Sequence, residues 1–227
     1  VTTAAAPYVL LSCAASIDGY IDDTTDTRLL LSNDEDFDRV DSVRAEADAI
    51  LVGANTVRRD NPRLLVRSEE RRTARVAAGK TPNLTKVTIT ATGDIDPQAK
   101  FFAAGDEEKL VYSATAGLEK ASTRLGNVAT VIDAGDPVNL PRILADLHAR
   151  GIGRLMVEGG GTLHTQFLAA GLADELQLVI APFFVGDPNA PRFVNPATFA
   201  NGPDSRMELA ETRQIGDCVL LRYLPAH

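Results

Sequence analysis

Leu155-Met156-Val157-Glu158-Gly159-Gly160-Gly161-Thr162-Leu163-His164-Thr165-Gln166-Phe167 decides how the rest of the chain is read. A short apolar run meets three consecutive glycines and then an amphipathic stretch that Gly171 closes, which predicts strand, tight turn and helix. Glycine lets a backbone approach a ligand with no Cβ in the way. A helix that begins just past such a turn points free N–H groups and its positive dipole end at whatever lies there, and a phosphate is the usual occupant. A strand-to-helix connection without a ligand fits the same residues.

The remaining chain supplies the context of an α/β domain. Residues 8–15 are apolar between Pro7 and Asp18-Gly19, and predict a buried first strand. Ser32 or Asn33 caps a helix whose first turn carries Asp34, Glu35 and Asp36, with Phe37, Val40, Val43 and Ala47 as its apolar face and Arg44 at that face's edge. Residues 49–53 form a compact strand ending in Gly53, and further strands are expected at 86–91, 109–113, 128–132 and 175–182. Helices are expected at 118–125 and from Asn139-Leu140-Pro141 onward, the latter with Leu140, Ile143, Leu144 and Leu147 facing inward and Gly151 at its end. Residues 207–214 and 218–224 read as a hairpin turning at Gly216-Asp217. Alternating strands and helices imply a mostly parallel sheet covered on both faces, with the antiparallel hairpin at one edge. Residues 1–7 read as a frayed tail and 8–227 as a single domain, since no repeat or linker-like stretch intervenes.

Composition narrows the function. A net charge of −8 over 227 residues argues against a general nucleic-acid or membrane-surface binder. No apolar run approaches the ~20 residues that span a bilayer. Cys13 and Cys218 each sit in an apolar strand-like run and read as buried, reduced thiols of a cytoplasmic protein. His148, His164 and His227 are too scattered for a metal site, so no metal is expected. His164 itself reads as a first-turn helix residue packed locally.

Against the overall negative charge, Arg58, Arg59, Arg63, Arg67, Arg71, Arg72 and Arg75 outnumber Asp60, Glu69 and Glu70 in one segment. Arginine forks match phosphate oxygens, so this segment suits an anionic ligand, although residues 69–80 look like an exposed, solvated arm. Gly19, Gly53 with Asn55-Thr56, and Gly159 to Gly161 all follow strand ends, where open parallel sheets bind ligands. The glycine turn is no Walker A loop, because no Lys-Ser/Thr pair follows it, and it lacks the acid of a dinucleotide fingerprint ~20 residues on. No nucleophile elbow and no deaminase zinc cluster occur. A glycine-rich pyrophosphate site beside an arginine-bearing loop suits a nicotinamide dinucleotide and a phosphorylated small substrate.

Ser16-Ile17-Asp18-Gly19, Thr56-Val57 with Asp60-Asn61-Pro62-x-Leu64-x-x-Arg67, Val157-Glu158-Gly159-Gly160, and Gly171-Leu172-x-Asp174-Glu175-Leu176 through Ile180-Ala181-Pro182 with Gly186 resemble the reductase domain of bacterial riboflavin biosynthesis. The resemblance runs over residues 7–224. It implies a dihydrofolate-reductase-like three-layer sandwich, a homodimer, and NADPH-dependent reduction of the ribose of a phosphoribosylamino-pyrimidine to an open ribityl chain, as in a 5-amino-6-(5-phosphoribosylamino)uracil reductase. The zinc deaminase to which this domain is often fused is absent from the chain.

The resemblance also implies site residues. Ala14, Ala15, Leu30, Thr56 and Asp60 would line the cofactor, and Gly159, Gly160, Gly161, Thr162, Leu163 and Gln166 belong to the turn that would cradle its pyrophosphate. Arg44, Leu64 and Arg67 would hold the substrate, the two arginines taking its phosphate. Glu158 would accept hydrogen bonds from the substrate. Asp60 and Glu158 are the catalytic candidates, with Asp60 equally suited to hold a ribose hydroxyl. Relatives carry a small polar residue where this chain has Arg28, and often an aromatic at Leu30. Two other readings fit the sequence: a relative redirected to another pyrimidine or pteridine, and a non-catalytic NADPH-binding module. No residue decides whether reduction comes before or after deamination.

Overall fold

The computed structural model describes residues 5–25, 27 and 29–225; residues 1–4 of the expected tail, Arg28 and His227 lie outside the described residues. In chain order these form β1 (Tyr8–Ser16), α1 (Asp34–Glu46), β2 (Ala49–Gly53), α2 (Ala54–Asp60), α3 (Glu69–Ala77), β3 (Thr85–Thr90), α4 (Lys100–Ala103), β4 (Lys109–Ser113), α5 (Leu118–Leu125), β5 (Thr130–Asp133), α6 (Leu140–Ala149), β6 (Arg154–Gly159), α7 (Gly161–Ala169), β7 (Glu175–Ala181), β8 (Glu208–Ile215) and β9 (Cys218–Leu224). The strands among the described residues form a mixed, mostly parallel sheet in the order β5-β4-β3-β2-β6-β1-β7-β9-β8. Contacts gather the chain into two compact units, Val1–Tyr8 with Asp41–Met156 and Val9–Val40 with Val157–His227.

In the first unit β2, β3, β4 and β5 run parallel, with Ala49 opposite Thr85, Lys86 opposite Lys109 and Leu110 opposite Thr130. Their central residues, Leu51, Val87, Leu110 and Val111 among them, are fully buried, as continuous apolar runs in a two-sided sheet require. Truncating one such leucine to alanine costs about 2–5 kcal/mol. Asn139 caps α6 by accepting the amide of Arg142 at 3.0 Å, with Pro141 in the first turn, and Leu140, Ile143, Leu144 and Leu147 are its buried face. Three α-helical segments among the described residues went unforeseen in the sequence. α2 follows β2 without a loop, α4 is a single turn that buries Phe101 and Phe102, and α3 stands where a solvated arm was expected.

In the second unit β1 pairs parallel with β7, from Leu10 opposite Glu175 to Ser16 opposite Ala181. β9 runs antiparallel to β7 and to β8, with a bulge between Leu209 and Glu211, so the expected C-terminal hairpin forms and turns at Gly216. Leu31, Val179, Ala181, Ile215, Cys218 and Leu220 make one buried cluster, with Ala14 packed against it. Asn33 caps α1 through the amide of Asp36 at 2.9 Å, and its amide nitrogen donates to the Ile215 carbonyl at 2.8 Å and to Asp217 at 2.7 Å, which ties the hairpin turn to the helix start.

α1 departs from its expected pattern. Phe37, Val40 and Val43 are only half-buried, whereas Asp36 and Asp41 are almost wholly enclosed. Polar partners explain both: Asp36 pairs with Arg39 at 2.7 Å, and Asp41 receives amide and guanidinium hydrogens. Both cysteines are free thiols; Cys218 is buried and Cys13 only partly so.

Candidate functional site

β6 carries Leu155, Met156 and Val157 fully buried, then Glu158 half-buried at its end. Gly159 follows with φ +123°, a conformation that a side chain would strain, and its bond to Gly160 is cis. Gly160 is the N-cap of α7 and supplies no side-chain cap, and the first turn of α7 holds no acid. Four N–H groups at a helix start have no partner within the helix, so this one is left complementary to an anion. Thr162 and Gln166 are exposed, whereas Leu163, His164, Phe167 and Leu168 are buried, so Leu163 offers a ligand its backbone alone.

Gly161 answers to a different constraint. A Cβ there would overlap the carbonyl oxygen of Arg192, so the close approach is to protein backbone. Residues 191–193 pair with residues 19–21, and Asn195 donates its amide to the Thr165 hydroxyl at 2.8 Å, fastening this strap along the start of α7. His164 lies beneath the turn, 3.6 Å from where a Gly159 Cβ would stand, with its ring 5.4 Å from that of Phe193. Burial holds the imidazole's pKa down at about 4; the Phe193 and Val157 carbonyls oppose this, but neither makes a hydrogen bond of normal geometry with the ring. His164 is thus packed under the turn, as its sequence position suggested.

At the end of β1, Ala15 is buried, Ala14 half-buried, and Leu30 is 67% exposed. Asp18 accepts the Ser16 hydroxyl at 2.6 Å and the amides of Val185 and Gly186 at 3.1 and 2.8 Å. Desolvation alone would raise its pKa, but these hydrogen bonds outweigh it and hold the carboxyl below the usual range. Ser16, Asp18 and Gly186 therefore join the β1 end to the loop after β7.

In the first unit, Thr56 is half-buried on α2 and Asp60 is exposed at that helix's C-terminal end. An acid gains nothing from the dipole there. Asn61 then turns the chain with φ +43°, and Leu64 adopts φ +53° while only 4% exposed. A buried leucine in the left-handed region is an outlier of the kind that clusters at functional sites. Arg44 reaches this loop from α1 and donates to the Leu65 carbonyl at 3.4 Å. The structure thus brings Arg44, Leu64 and Arg67 to one loop of the first unit, along with Asp41, Arg72 and Asn83, which sequence reasoning missed. Asp41 was legible only as a charge set between Val40 and Val43 on the supposed apolar face. Ala14, Ala15, Leu30, Glu158 and the Gly159–Gln166 turn belong to the second unit.

Among the described residues no group of three or more His, Cys, Asp or Glu side chains is placed to hold a metal, and no helix is long and apolar enough to cross a membrane.

Known proteins share both the sequence and the fold. The chain is 36% identical over 219 residues to the 2,5-diamino-6-ribosylamino-4(3H)-pyrimidinone 5′-phosphate reductase of Archaeoglobus fulgidus, covering 96% of this chain and 98% of that protein. It is 34% identical over 220 residues to the reductase of the same name from Methanothermobacter thermautotrophicus, covering 96% and 97%. Among solved structures, a pyrimidine reductase-like protein of Corynebacterium diphtheriae superposes with a TM-score of 0.80 at 22% identity, over 97% of this chain and 92% of that one. The dihydrofolate reductase of Enterococcus faecalis, complexed with NADP(H) and RAB-propyl, superposes with a TM-score of 0.53 at 14% identity, over 97% of each chain, and so shares the fold. The model of the RibD C-terminal domain matches residues 7–221, and the chain belongs to that family.

Proposed function

We propose that the chain reduces the ribose of 2,5-diamino-6-ribosylamino-4(3H)-pyrimidinone 5′-phosphate to the ribityl form with NADPH, as a step of riboflavin biosynthesis. The observation that carries this reading is the match, along nearly its whole length, to a reductase named for that substrate. In this reading reduction precedes deamination, the question that the sequence left open.

The residues present fit a dinucleotide. The α7 start has neither a side-chain cap nor a first-turn acid, which suits a pyrophosphate held by the amides of Gly161, Thr162 and Leu163. When bound, the cofactor supplies the hydride for C1′ of the ring-opened sugar. The protein's own share is placement and charge. Arg44 and Arg67 take the 5′-phosphate, with Leu64 packing beside them. Ala14, Ala15, Leu30 and Thr56 line the cofactor, and Gln166 extends the turn. Glu158 accepts hydrogen bonds from the pyrimidine. Asp60 either orients a ribose hydroxyl or delivers the proton to the sugar. The homodimer and cytoplasmic location implied by the resemblance go with this function, and light scattering on the purified protein tests the first.

The deciding experiment titrates NADPH and NADH and then measures turnover of the diamino-pyrimidinone and of its deaminated, oxo counterpart. Faster NADPH oxidation with the diamino substrate is expected. A preference for the oxo substrate would reverse the order of steps. Tight NADPH binding with neither pyrimidine reduced would leave only a binding module, and faster turnover of an unphosphorylated pyrimidine or pteridine would point to a redirected relative.

A further inference from the structure

The loop that carries Arg67 is held at nearly every backbone polar group from Leu65 to Ser68. Arg44 donates to the Leu65 carbonyl, and the Val66 amide donates to Asn83 at 3.0 Å. One guanidinium nitrogen of Arg72 donates to the carbonyls of Val66 and Arg67 at 2.8 and 2.7 Å. The amides of Arg67 and Ser68 donate to the two carboxylate oxygens of Asp41 at 2.5 and 3.1 Å. Arg71 donates to Asp41 as well, at 2.9 Å. Asp41 is 3% exposed, so a charged group has been taken out of water to hold two backbone amides. Burying a carboxylate is costly unless it is fully bonded, and here both oxygens of Asp41 accept hydrogen bonds.

Its consequence falls on Arg67. The amide of Arg67 is fixed by Asp41 and its carbonyl by Arg72, which sets the direction of its Cα–Cβ bond before any ligand arrives. Left-handed Asn61 and Leu64 bring the chain into this clamp. A phosphate-binding arginine on a loop loses affinity to the entropy of ordering that loop, and prior fixation removes the loss.

We propose that Asp41 and Arg72 are positioning residues for the substrate phosphate, acting through Arg67. This rests on the reading of Arg67 as a phosphate ligand, and it assigns phosphate recognition to α1 and α3 as well as to the loop between α2 and α3. Asp41→Asn is the sharpest variant. An amide has one acceptor oxygen, and its NH2 group would face a backbone N–H that now meets a carboxylate oxygen.

The test measures KM and kcat for the phosphorylated substrate, turnover of its dephosphorylated counterpart, inhibition by inorganic phosphate, and the unfolding midpoint, for wild type, Asp41→Asn, Arg72→Gln and Arg67→Ala. Asp41→Asn is expected to raise KM ~10–100-fold, the loss of a charge-assisted contact, with a much smaller fall in kcat. Inhibition by inorganic phosphate should weaken in parallel, and the preference for the phosphorylated substrate should collapse. Arg72→Gln should move the same quantities in the same direction by less, and decides the matter if Asp41→Asn does not fold. The proposal is overturned if both variants keep the phosphate preference that Arg67→Ala loses, or if they weaken phosphorylated and dephosphorylated substrates equally. Should Arg67→Ala itself keep the preference, the reading of Arg67 fails, and that outcome is distinct from a failure of the clamp.

Discussion

Gly161 and Arg192 meet backbone to backbone: a Cβ on Gly161 would occupy the space of the Arg192 carbonyl oxygen. The glycine turn is therefore shaped on one side by its own strap, and Gly161→Ala must displace either the first turn of α7 or residues 191–193. Overpacking of this kind costs about 1–3 kcal/mol. The amides proposed to hold the pyrophosphate would shift with it, so NADPH affinity should fall together with the unfolding midpoint. Gly202→Ala, where nothing lies within 4 Å of the added atom, is the control and should alter neither. A Gly161→Ala protein with wild-type affinity and midpoint would show that the strap yields freely.

Arg75 ties α3 to the end of α1. It is 4% exposed and donates to the carbonyls of Ala45 and Ala47 at 2.8 and 2.6 Å, and to those of Thr81 and Asn83 at 2.9 and 3.2 Å. Ala45 lies in the last turn of α1 and Ala47 just beyond it, where carbonyls lack helical partners. Arg75→Met keeps the volume and orphans those acceptors, so it should cost about 3–5 kcal/mol in urea unfolding. Val76→Ala, next to it but 54% exposed, should cost far less. Equal losses in the two variants would contradict this account.

His164 makes stability depend on pH in a particular window. Its pKa is lowered by burial from 6.5 to about 4, so below 6.5 the unfolded chain binds a proton that the folded imidazole still refuses. Stability therefore falls as pH drops from about 6.5 to about 4 and is unaffected by this group above that range. The shift corresponds to about 3 kcal/mol. His164→Leu, close in volume and without nitrogens to bury, should cost less than about 1.5 kcal/mol at pH 8 and flatten the slope between pH 6.5 and 4. Denaturant midpoints across pH for both proteins check this; parallel curves would mean that the imidazole is not the titrating group.

The parts of the fold that were legible are those fixed by local chemistry. Leu155-Met156-Val157 before three glycines announces a buried strand and a turn, Asn139-Leu140-Pro141 a capped helix, and Gly216-Asp217 a hairpin, because each depends on residues a few positions apart. α3 was not legible because Glu69 to Ala77 has almost no apolar face, and its anchors are cations with distant partners, Arg75 on carbonyls some thirty residues earlier and Arg71 on Asp41. Asp41 failed for the same reason, since its burial depends on amides 26 and 27 positions away. Of the candidate site, Arg44, Leu64 and Arg67 could be named from the resemblance, but the clamp that holds them involves side chains with no motif of their own.

That clamp predicts how Arg44 and Arg67 combine. If each only contributed charge to the phosphate, Arg44→Ala and Arg67→Ala would each cost about 1.5–3 kcal/mol of substrate binding and their effects would add. Arg44, however, also donates to the Leu65 carbonyl, two residues before Arg67 in the same fixed loop. Removing Arg44 therefore loosens the segment that aims Arg67, and part of Arg67's contribution is already lost in the Arg44 variant. The double variant should then bind substrate better than the sum of the single losses predicts, by about 0.5 kcal/mol or more, the range seen for residues that share a network. Arg44→Lys separates the two roles. It keeps a cation near the phosphate but not the planar fork, so it should recover less than half of the loss. A double-mutant cycle on substrate binding, measured at fixed ionic strength, gives the coupling directly, and strict additivity would show that Arg44 acts on the phosphate alone.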